Sequence, residues 1–222
     1  MKDQFFRVMS ILAIASYFVP LLIVLGKQLW QDVSFRLFSL YWFIGGLINI
    51  VDWVPGLSLR NHEVIGVMYN MLDIPFILSI FYFTGTDQRI RKFILFAGTI
   101  YTFVVGVNIL TKGFRYEALK YMLGLGIFIV LLVVIWNILG YIQKMRHTRK
   151  QRAMLFIYSA LLFQFGTFVV IYIFDYFITD SNQDDNFLMY YISSLVAIGI
   201  ACCGLLAKGI NSNYLKKSPR IG

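Results

Sequence analysis

The chain has 222 residues, of which 59% are hydrophobic and only 14% are charged. A soluble globular domain carries roughly 45–50% apolar and about 25% charged residues, so this composition excludes an ordinary soluble domain. The formal net charge is +9. Because the basic residues fall in short segments between apolar runs, we expect them to contact membrane lipids at the headgroups and to set orientation, and we do not expect nucleic-acid binding.

Seven apolar runs are each long enough to cross the roughly 30 Å hydrocarbon core of a bilayer as a helix. The sequence therefore predicts an all-α integral membrane protein, a single seven-helix membrane domain over residues 1–222. The predicted helices cover residues 8–26, 37–54, 63–86, 93–111, 121–142, 153–178 and 187–208. The first run is longer than the core of a signal peptide and has no small-residue cleavage site, so we interpret it as a retained helix that Pro20 kinks.

The distribution of Lys and Arg predicts the orientation of the chain. Fourteen of the 20 lie in the first, third and fifth loops and the tail, and six lie on the opposite side. Basic loops stay in the cytoplasm, so we expect the N-terminus outside and the C-terminus in the cytoplasm. The long apolar helices, with no targeting extension before them, favour the cell (inner) membrane. The basic run Lys144–Arg152 is expected to touch headgroups, with a cytoplasmic protein partner as the alternative.

Asp73 is the polar residue that stands out, because it lies inside the third predicted helix. At a rise of about 1.5 Å per residue it is roughly 15 Å below the outer surface. Tyr69 and Asn70 precede it by one turn and share its face. Pro75 cannot donate to the Met71 carbonyl, so a bend is expected beside the carboxyl. An ionisable group at this depth is costly and marks a functional site.

Other polar residues concentrate at mid-depth or in the outer half of the predicted bundle, and no Lys or Arg is found at comparable depth. This one-sided pattern predicts a net-acidic, aromatic-lined cavity that is open to, or just below, the outer face. It would bind a cationic or amphiphilic small ligand, such as an amine or a lipid headgroup, or a proton. The predicted ligand-binding residues are Asp73, Asn70, Tyr69, Asn49, Asp52, Asp175, Gln164 and Tyr190.

Two alternatives remain open from the sequence, and the cofactor is unknown. A small membrane enzyme could act on a lipid or isoprenoid, with Asp73 and either Asp52 or Asp175 as acid and base. The polar residues could also be an interhelical network without a ligand, as in an accessory subunit that works through helix contacts. The two histidines and two cysteines have no spacing suited to a metal site, and no catalytic residue is assigned.

Small residues also recur along the predicted helices, where we expect two helices to approach each other closely. They are Gly45, Gly46, Gly98, Gly106, Gly124, Gly126, Gly199 and Gly204.

Overall fold

The computed structural model describes residues 2–51, 58–85, 87–113, 116–143, 147–178 and 183–207. In these ranges every regular element is helical. The elements are α1 (Lys2–Ser16), α2 (Val19–Gly26), a 3₁₀ turn (Leu29–Gln31), α3 (Val33–Val51), α4 (Leu59–Thr84), α5 (Gln88–Lys112), α6 (Tyr116–Ile142), α7 (Arg149–Phe177) and α8 (Gln183–Leu206).

Within the described part of the chain, seven segments are long and apolar enough to cross a membrane. One of them, Gln4–Gly26, combines α1 and α2, and the other six lie in α3 to α8. The chain is therefore a multi-pass helical membrane protein, as the sequence predicts.

Most helices begin before their apolar runs, because polar residues cap them. The Thr148 hydroxyl accepts from the Gln151 backbone N–H, and the Gln151 side chain accepts from the Thr148 N–H, so α7 begins at Arg149. Asp87 caps α5 with a single bond, by accepting from the Arg89 N–H. Residues predicted as basic loops thus form first helical turns, since side-chain capping satisfies backbone donors that have no partner in the helix.

The first span is broken near its middle, at Tyr17 and Phe18, where α1 ends and α2 begins. The cause is Pro20, which lies in the first turn of α2. Proline has no N–H to bond the Ser16 carbonyl, and its ring clashes with that carbonyl in a continuous helix. The predicted kink is therefore a full interruption. By contrast, α4 continues through Pro75.

The spans form a closed arrangement. The first span packs on α8 and on α3, α3 packs on α4, α4 on α6, α6 on α7, and α7 on α8. Helix α5 packs on the outside of this ring, against α4 and α6. It is the span with the smallest buried share, and side chains such as Phe103 and Leu110 are largely exposed. An apolar exposed face of this kind is suited to lipid.

Several predicted close approaches at glycine are present. A methyl group at Gly204 would lie 2.6 Å from Cβ of Phe156 and 2.9 Å from the Ala153 carbonyl oxygen, so α8 contacts the backbone of α7. A methyl group at Gly46 would lie 2.7 Å from Cβ of Tyr17, so α3 accommodates the break in the first span. The prediction is wrong for Gly106 and Gly199, where no atom of the described residues lies within 4 Å.

Charged groups connect the helices at one end of the bundle, which we call the Lys27 end. The Lys27 ammonium donates to the Leu205 carbonyl at 3.0 Å, at the C-terminus of α8. Lys150 at the start of α7 forms an ion pair with Asp32 at 2.6 Å. The opposite end, where α3 ends and α4 and α8 begin, contains Asn49 in the last turn of α3. We call it the Asn49 end.

We expect Gly204→Ala to destabilise the bundle by about 1–3 kcal/mol relative to Gly199→Ala, because the added methyl forces α7 and α8 apart. Both substitutions lie on α8 and gain the same helix propensity, so the difference isolates packing. Reversible unfolding of the two variants in mixed micelles measures it. Equal stabilities would contradict the close approach at Gly204.

Candidate functional site

Asp73 lies near the middle of the span Val64–Thr84 and is 9% exposed. The Tyr41 hydroxyl on α3 donates to carboxyl oxygen Oδ2 at 3.4 Å, which is a long hydrogen bond. The other oxygen, Oδ1, is buried and has no hydrogen-bond partner in the described part of the chain. One half of a buried carboxyl is therefore unsatisfied, which is costly in an apolar environment.

Tyrosines from several helices surround this carboxyl. The Tyr69 hydroxyl, one turn earlier on α4, faces it, although no hydrogen bond reaches Oδ1. The carboxyl also interacts electrostatically with Tyr17 at the break in the first span and with Tyr101 on α5. No Lys or Arg is among the described groups that act on Asp73. The carboxyl thus has aromatic hydroxyls as neighbours and no counter-ion.

A second set of polar groups lies toward the Asn49 end. The Tyr17 hydroxyl is 2.9 Å from Ser194 Oγ and 3.1 Å from the Tyr190 hydroxyl, both on α8. The Asn49 amide donates to the Tyr190 hydroxyl at 3.2 Å and to the Gly45 carbonyl at 2.8 Å. These bonds connect the interrupted first span, α3 and α8 through neutral groups.

Gly45 brings the two sets together. A methyl group at this position would lie 3.1 Å from both the Tyr17 ring and the Tyr69 hydroxyl oxygen, so both groups approach the same point of the α3 backbone. The combined set is called the tyrosine–aspartate cluster below. It consists of Tyr17, Tyr41, Asn49, Tyr69, Asp73, Tyr190 and Ser194.

Four of the predicted site residues belong to this cluster, namely Asp73, Tyr69, Asn49 and Tyr190. The other four predicted residues are not among the residues of the cluster. Asn70 is half-buried and donates to the Gly66 carbonyl of its own helix at 2.9 Å. Gln164 is buried but accepts from the Trp42 indole at 3.3 Å. Asp175 is exposed two residues before α7 ends, and Asp52 lies outside the described residues.

Sequence reasoning missed Tyr17 and Tyr41, both of which are almost fully buried. Tyrosine within an apolar run is typical of interfacial residues, so neither position stands out by type. A signal was nevertheless present for Tyr17. It lies three residues before Pro20, and a proline inside a spanning helix exposes backbone groups that neighbouring side chains then satisfy.

Two grooves are open to the surface of the bundle. One, of about 590 Å³, lies between α4 and α5 and includes Pro75 and Ser79 in its lining. The other, of about 350 Å³, lies between α7 and α8 near Thr167 and Met189. Asp73 lines neither of these two grooves. The cavity predicted around Asp73 stays a prediction.

The predicted contact surface of the basic run is described only in part, since residues 144–146 lie outside the described ranges. Within the rest of the run, Lys150 is paired with Asp32 of the first loop. In the described ranges no group of three or more His, Cys, Asp or Glu side chains could hold a metal ion.

No protein-family model matches the chain, and comparisons with curated proteins and with solved structures give no match. The chemistry of the tyrosine–aspartate cluster is therefore the basis on which a function is assigned.

A double-mutant cycle of Tyr17→Phe and Ser194→Ala tests whether the cluster joins the first span to α8. We expect a coupling free energy of about 0.6 kcal/mol, the average for hydrogen bonds between membrane helices. Unfolding of wild type, both single variants and the double variant in mixed micelles gives this value. Strictly additive losses of stability would contradict a direct bond between the two hydroxyls.

Proposed function

We propose that the chain is a membrane-embedded binding protein for a cationic or amine-bearing small molecule, with Asp73 as the counter-charge. A lipid headgroup that carries an amine belongs to the same class. The observation that carries this proposal is the buried carboxyl whose oxygen Oδ1 has no hydrogen-bond partner among the described residues. A bound cation would supply the interaction that the protein itself does not provide.

The surroundings of the carboxyl support a cation of organic type. Ring faces of tyrosine attract a desolvated cation with up to about 2 kcal/mol or more. Tyr41 and Tyr69 lie next to Asp73, and Tyr101 interacts with the carboxyl from α5. A carboxylate together with several aromatic rings is a donor set for an ammonium group, whereas a small metal ion prefers several carboxylate or carbonyl oxygens.

The proposed orientation places the N-terminus outside and the C-terminus in the cytoplasm of the cell (inner) membrane. It is supported by the excess of Lys and Arg in the segments at the Lys27 end. The Asn49 end then faces outward, and the ligand reaches the cluster from outside. In this orientation, part of the run Lys144–Arg152 can contact headgroups or a cytoplasmic partner.

A sensor and a carrier are both consistent with such a site. Discontinuous helices at the midplane are typical of secondary transporters. The break at Tyr17 and Phe18 and the proline in α4 both lie beside the cluster. These two features support a carrier as much as a sensor, whereas the sequence pattern alone favours a sensor slightly.

Asp73→Asn should weaken the binding of cationic ligands at least about tenfold, because loss of a buried charge partner costs roughly 2–5 kcal/mol. The purified protein is titrated with sodium, choline, spermidine and vesicles of phosphatidylethanolamine, and ligand-dependent shifts in melting temperature and bound radiolabel are measured. Asp87→Asn is the matched control, because it removes one carboxylate at the Lys27 end and asparagine still caps α5.

Other outcomes of this titration decide against the proposal. Unchanged affinity in Asp73→Asn, with loss of turnover of a bound lipid or isoprenoid, would identify the enzyme alternative. A change in oligomeric state, with no ligand bound by wild type, would identify an accessory subunit that works through helix contacts.

A reporter fused after Gly222 tests the orientation. Green fluorescent protein at this position should fluoresce, and alkaline phosphatase should be inactive, because the C-terminus is proposed to be cytoplasmic. The same two reporters placed before Met1 should give the opposite pattern. An active phosphatase after Gly222 would overturn the outward placement of the Asn49 end.

A further inference from the structure

The groove between α4 and α5 is an open feature of about 590 Å³ on the surface of the bundle. The buried side chains of Leu78 on α4 and Ile94 on α5 belong to its lining. Gly98, which also lines it, keeps this space free, because a methyl group there would meet only Leu78 among the described residues, at 3.7 Å. The two helices therefore leave room between them for a slender apolar group.

The surface of the groove is mainly apolar, although hydroxyl groups line part of it. The Ser79 hydroxyl donates to the Pro75 carbonyl at 2.7 Å, and the Thr102 hydroxyl donates to the Gly98 carbonyl at 2.8 Å. These two donors are thus satisfied within their own helices. Most of the remaining lining is hydrocarbon and ring surface, contributed by Leu78, Tyr82, Phe83, Ile94, Leu95 and Phe103. Such a surface is suited to an acyl chain.

The groove extends over one leaflet of the bilayer. On α4 it runs from Pro75, near the middle of the span Val64–Thr84, to Phe83 near the end of that span. On α5 it runs from Ile94 to Phe103, which is about 13 Å at a rise of about 1.5 Å per residue. Half of a hydrocarbon core of roughly 30 Å has about this length. Since α4 ends and α5 begins at the Lys27 end, the groove belongs to the leaflet at that end.

Positive charge lies where the groove meets the Lys27 end. Arg89, Arg91 and Lys92 are in the first turns of α5, and in the described ranges none of them forms an ion pair. Asp87, the acidic residue beside them, directs its carboxylate at the Arg89 backbone N–H. Three basic groups and one carboxylate leave a net charge of +2 in residues 87–92. This charge is complementary to an anionic headgroup.

The Arg91 guanidinium is held at the edge of the groove. Its Cζ lies 4.6 Å from the centre of the Tyr82 ring, and Tyr82 lines the groove. At this distance the ring face attracts the cation. The ring does not use the guanidinium N–H groups as a hydrogen-bond acceptor would, and no acceptor among the described residues bonds to them. A phosphate group can therefore accept two parallel hydrogen bonds from this side chain.

We propose that the groove binds an anionic phospholipid of the leaflet at the Lys27 end. One acyl chain lies between α4 and α5, and the phosphate is bound by Arg91, with Arg89 and Lys92 adding positive charge. In the proposed orientation this is the cytoplasmic leaflet, whose surface potential is negative. The site is separate from the proposed cation site, because Asp73 does not line the groove.

Native mass spectrometry of the delipidated full-length protein in mild detergent tests the headgroup contact. The probes are dioleoyl phosphatidylglycerol and dioleoyl phosphatidylcholine, which have the same chains and differ in net charge. Wild type should bind the first phosphatidylglycerol molecule more tightly than phosphatidylcholine. Arg91→Gln should lower this ratio of affinities about fivefold, which is the contribution of one basic side chain near an anionic lipid surface.

Arg36→Gln is the matched control for the headgroup contact. Arg36 also lies at the Lys27 end, with its guanidinium 6.0 Å from the centre of the Trp30 ring, but it is on α3 and does not line the groove. Both variants lower the net charge of the protein by one. Arg36→Gln should therefore keep the wild-type ratio of affinities.

Gly98→Leu tests the position of the acyl chain, with Gly106→Leu on the same helix as its control. The leucine at position 98 fills the groove, whereas at position 106 no atom of the described residues lies within 4 Å of an added methyl group. Gly98→Leu should weaken the binding of both lipids at least about threefold relative to Gly106→Leu, since contacts in an apolar medium depend on van der Waals packing. Size-exclusion profiles of all variants show that the bundle is intact.

Glycerol 3-phosphate carries the headgroup phosphate without chains, and it should not displace phosphatidylglycerol from wild type. Displacement at equal concentration would mean that the site binds a free phosphate and that the groove contributes nothing. A dimer of wild type that is lost in Gly98→Leu, without bound lipid, would show that a second copy of the chain fills the groove.

Two further results would overturn the lipid site. If Arg91→Gln and Arg36→Gln lower the ratio of affinities equally, the preference arises from general surface charge. If Gly98→Leu and Gly106→Leu bind both lipids equally well, no chain lies in the groove. Asp73→Asn should bind phosphatidylglycerol as wild type does, so that neither result bears on the proposed binding of cations.

Discussion

Within the hydrocarbon layer a polar group has to find its partner inside the protein, because no water is present to supply one. Most polar side chains of the spans meet this requirement locally. Asn70 donates to the Gly66 carbonyl, Ser79 to the Pro75 carbonyl and Thr102 to the Gly98 carbonyl, each one turn back on its own helix. Amides and hydroxyls can do this because they carry hydrogen-bond donors.

An ionised carboxylate cannot use the same solution. It is an acceptor only, and the carbonyls of a helix are acceptors too. Asp73 therefore depends on donor side chains, and the described residues supply one long bond from Tyr41, place the Tyr69 hydroxyl nearby and leave Oδ1 without a partner. Either a proton on the carboxyl or a bound cation resolves this conflict. The proposed binding site corresponds to the second of these, with the cation bound at the carboxylate.

The number of spans and their apolar cores follow directly from the sequence, because a run of about 20 apolar residues is typical of a membrane-spanning helix. The prediction is less accurate at the ends of the helices. Capping by Thr148 and Asp87 extends α7 and α5 into polar segments, and a hydropathy pattern does not register such caps. Pro20 is visible in the sequence, but whether a proline bends or interrupts a helix depends on the neighbours that accept the break. Here the neighbour is Gly46, whose missing side chain leaves room for Tyr17.

The candidate site was predictable at its centre and not at its periphery. Asp73 is the only acidic residue deep inside an apolar run, and its cost in a membrane identifies it without a structure. Which tyrosines surround it depends on the order in which the spans pack. That order cannot be derived from the hydropathy pattern of the sequence. Tyr41 reaches the carboxyl because α3 packs on α4, and Gln164 contacts Trp42 instead because it lies on α7.

The two ends of the bundle are held together by different chemistry, and this difference bears on how a ligand would reach Asp73. At the Lys27 end, an ammonium donates to carbonyls in the last turn of α8 and directly after it, and an ion pair joins the first loop to α7. Toward the Asn49 end, the described contacts around the cluster are neutral hydrogen bonds among Tyr17, Asn49 and Tyr190. Charge-assisted hydrogen bonds are roughly twice as strong as neutral ones. Among the described contacts, those toward the Asn49 end therefore separate at lower cost, which supports ligand access from that side.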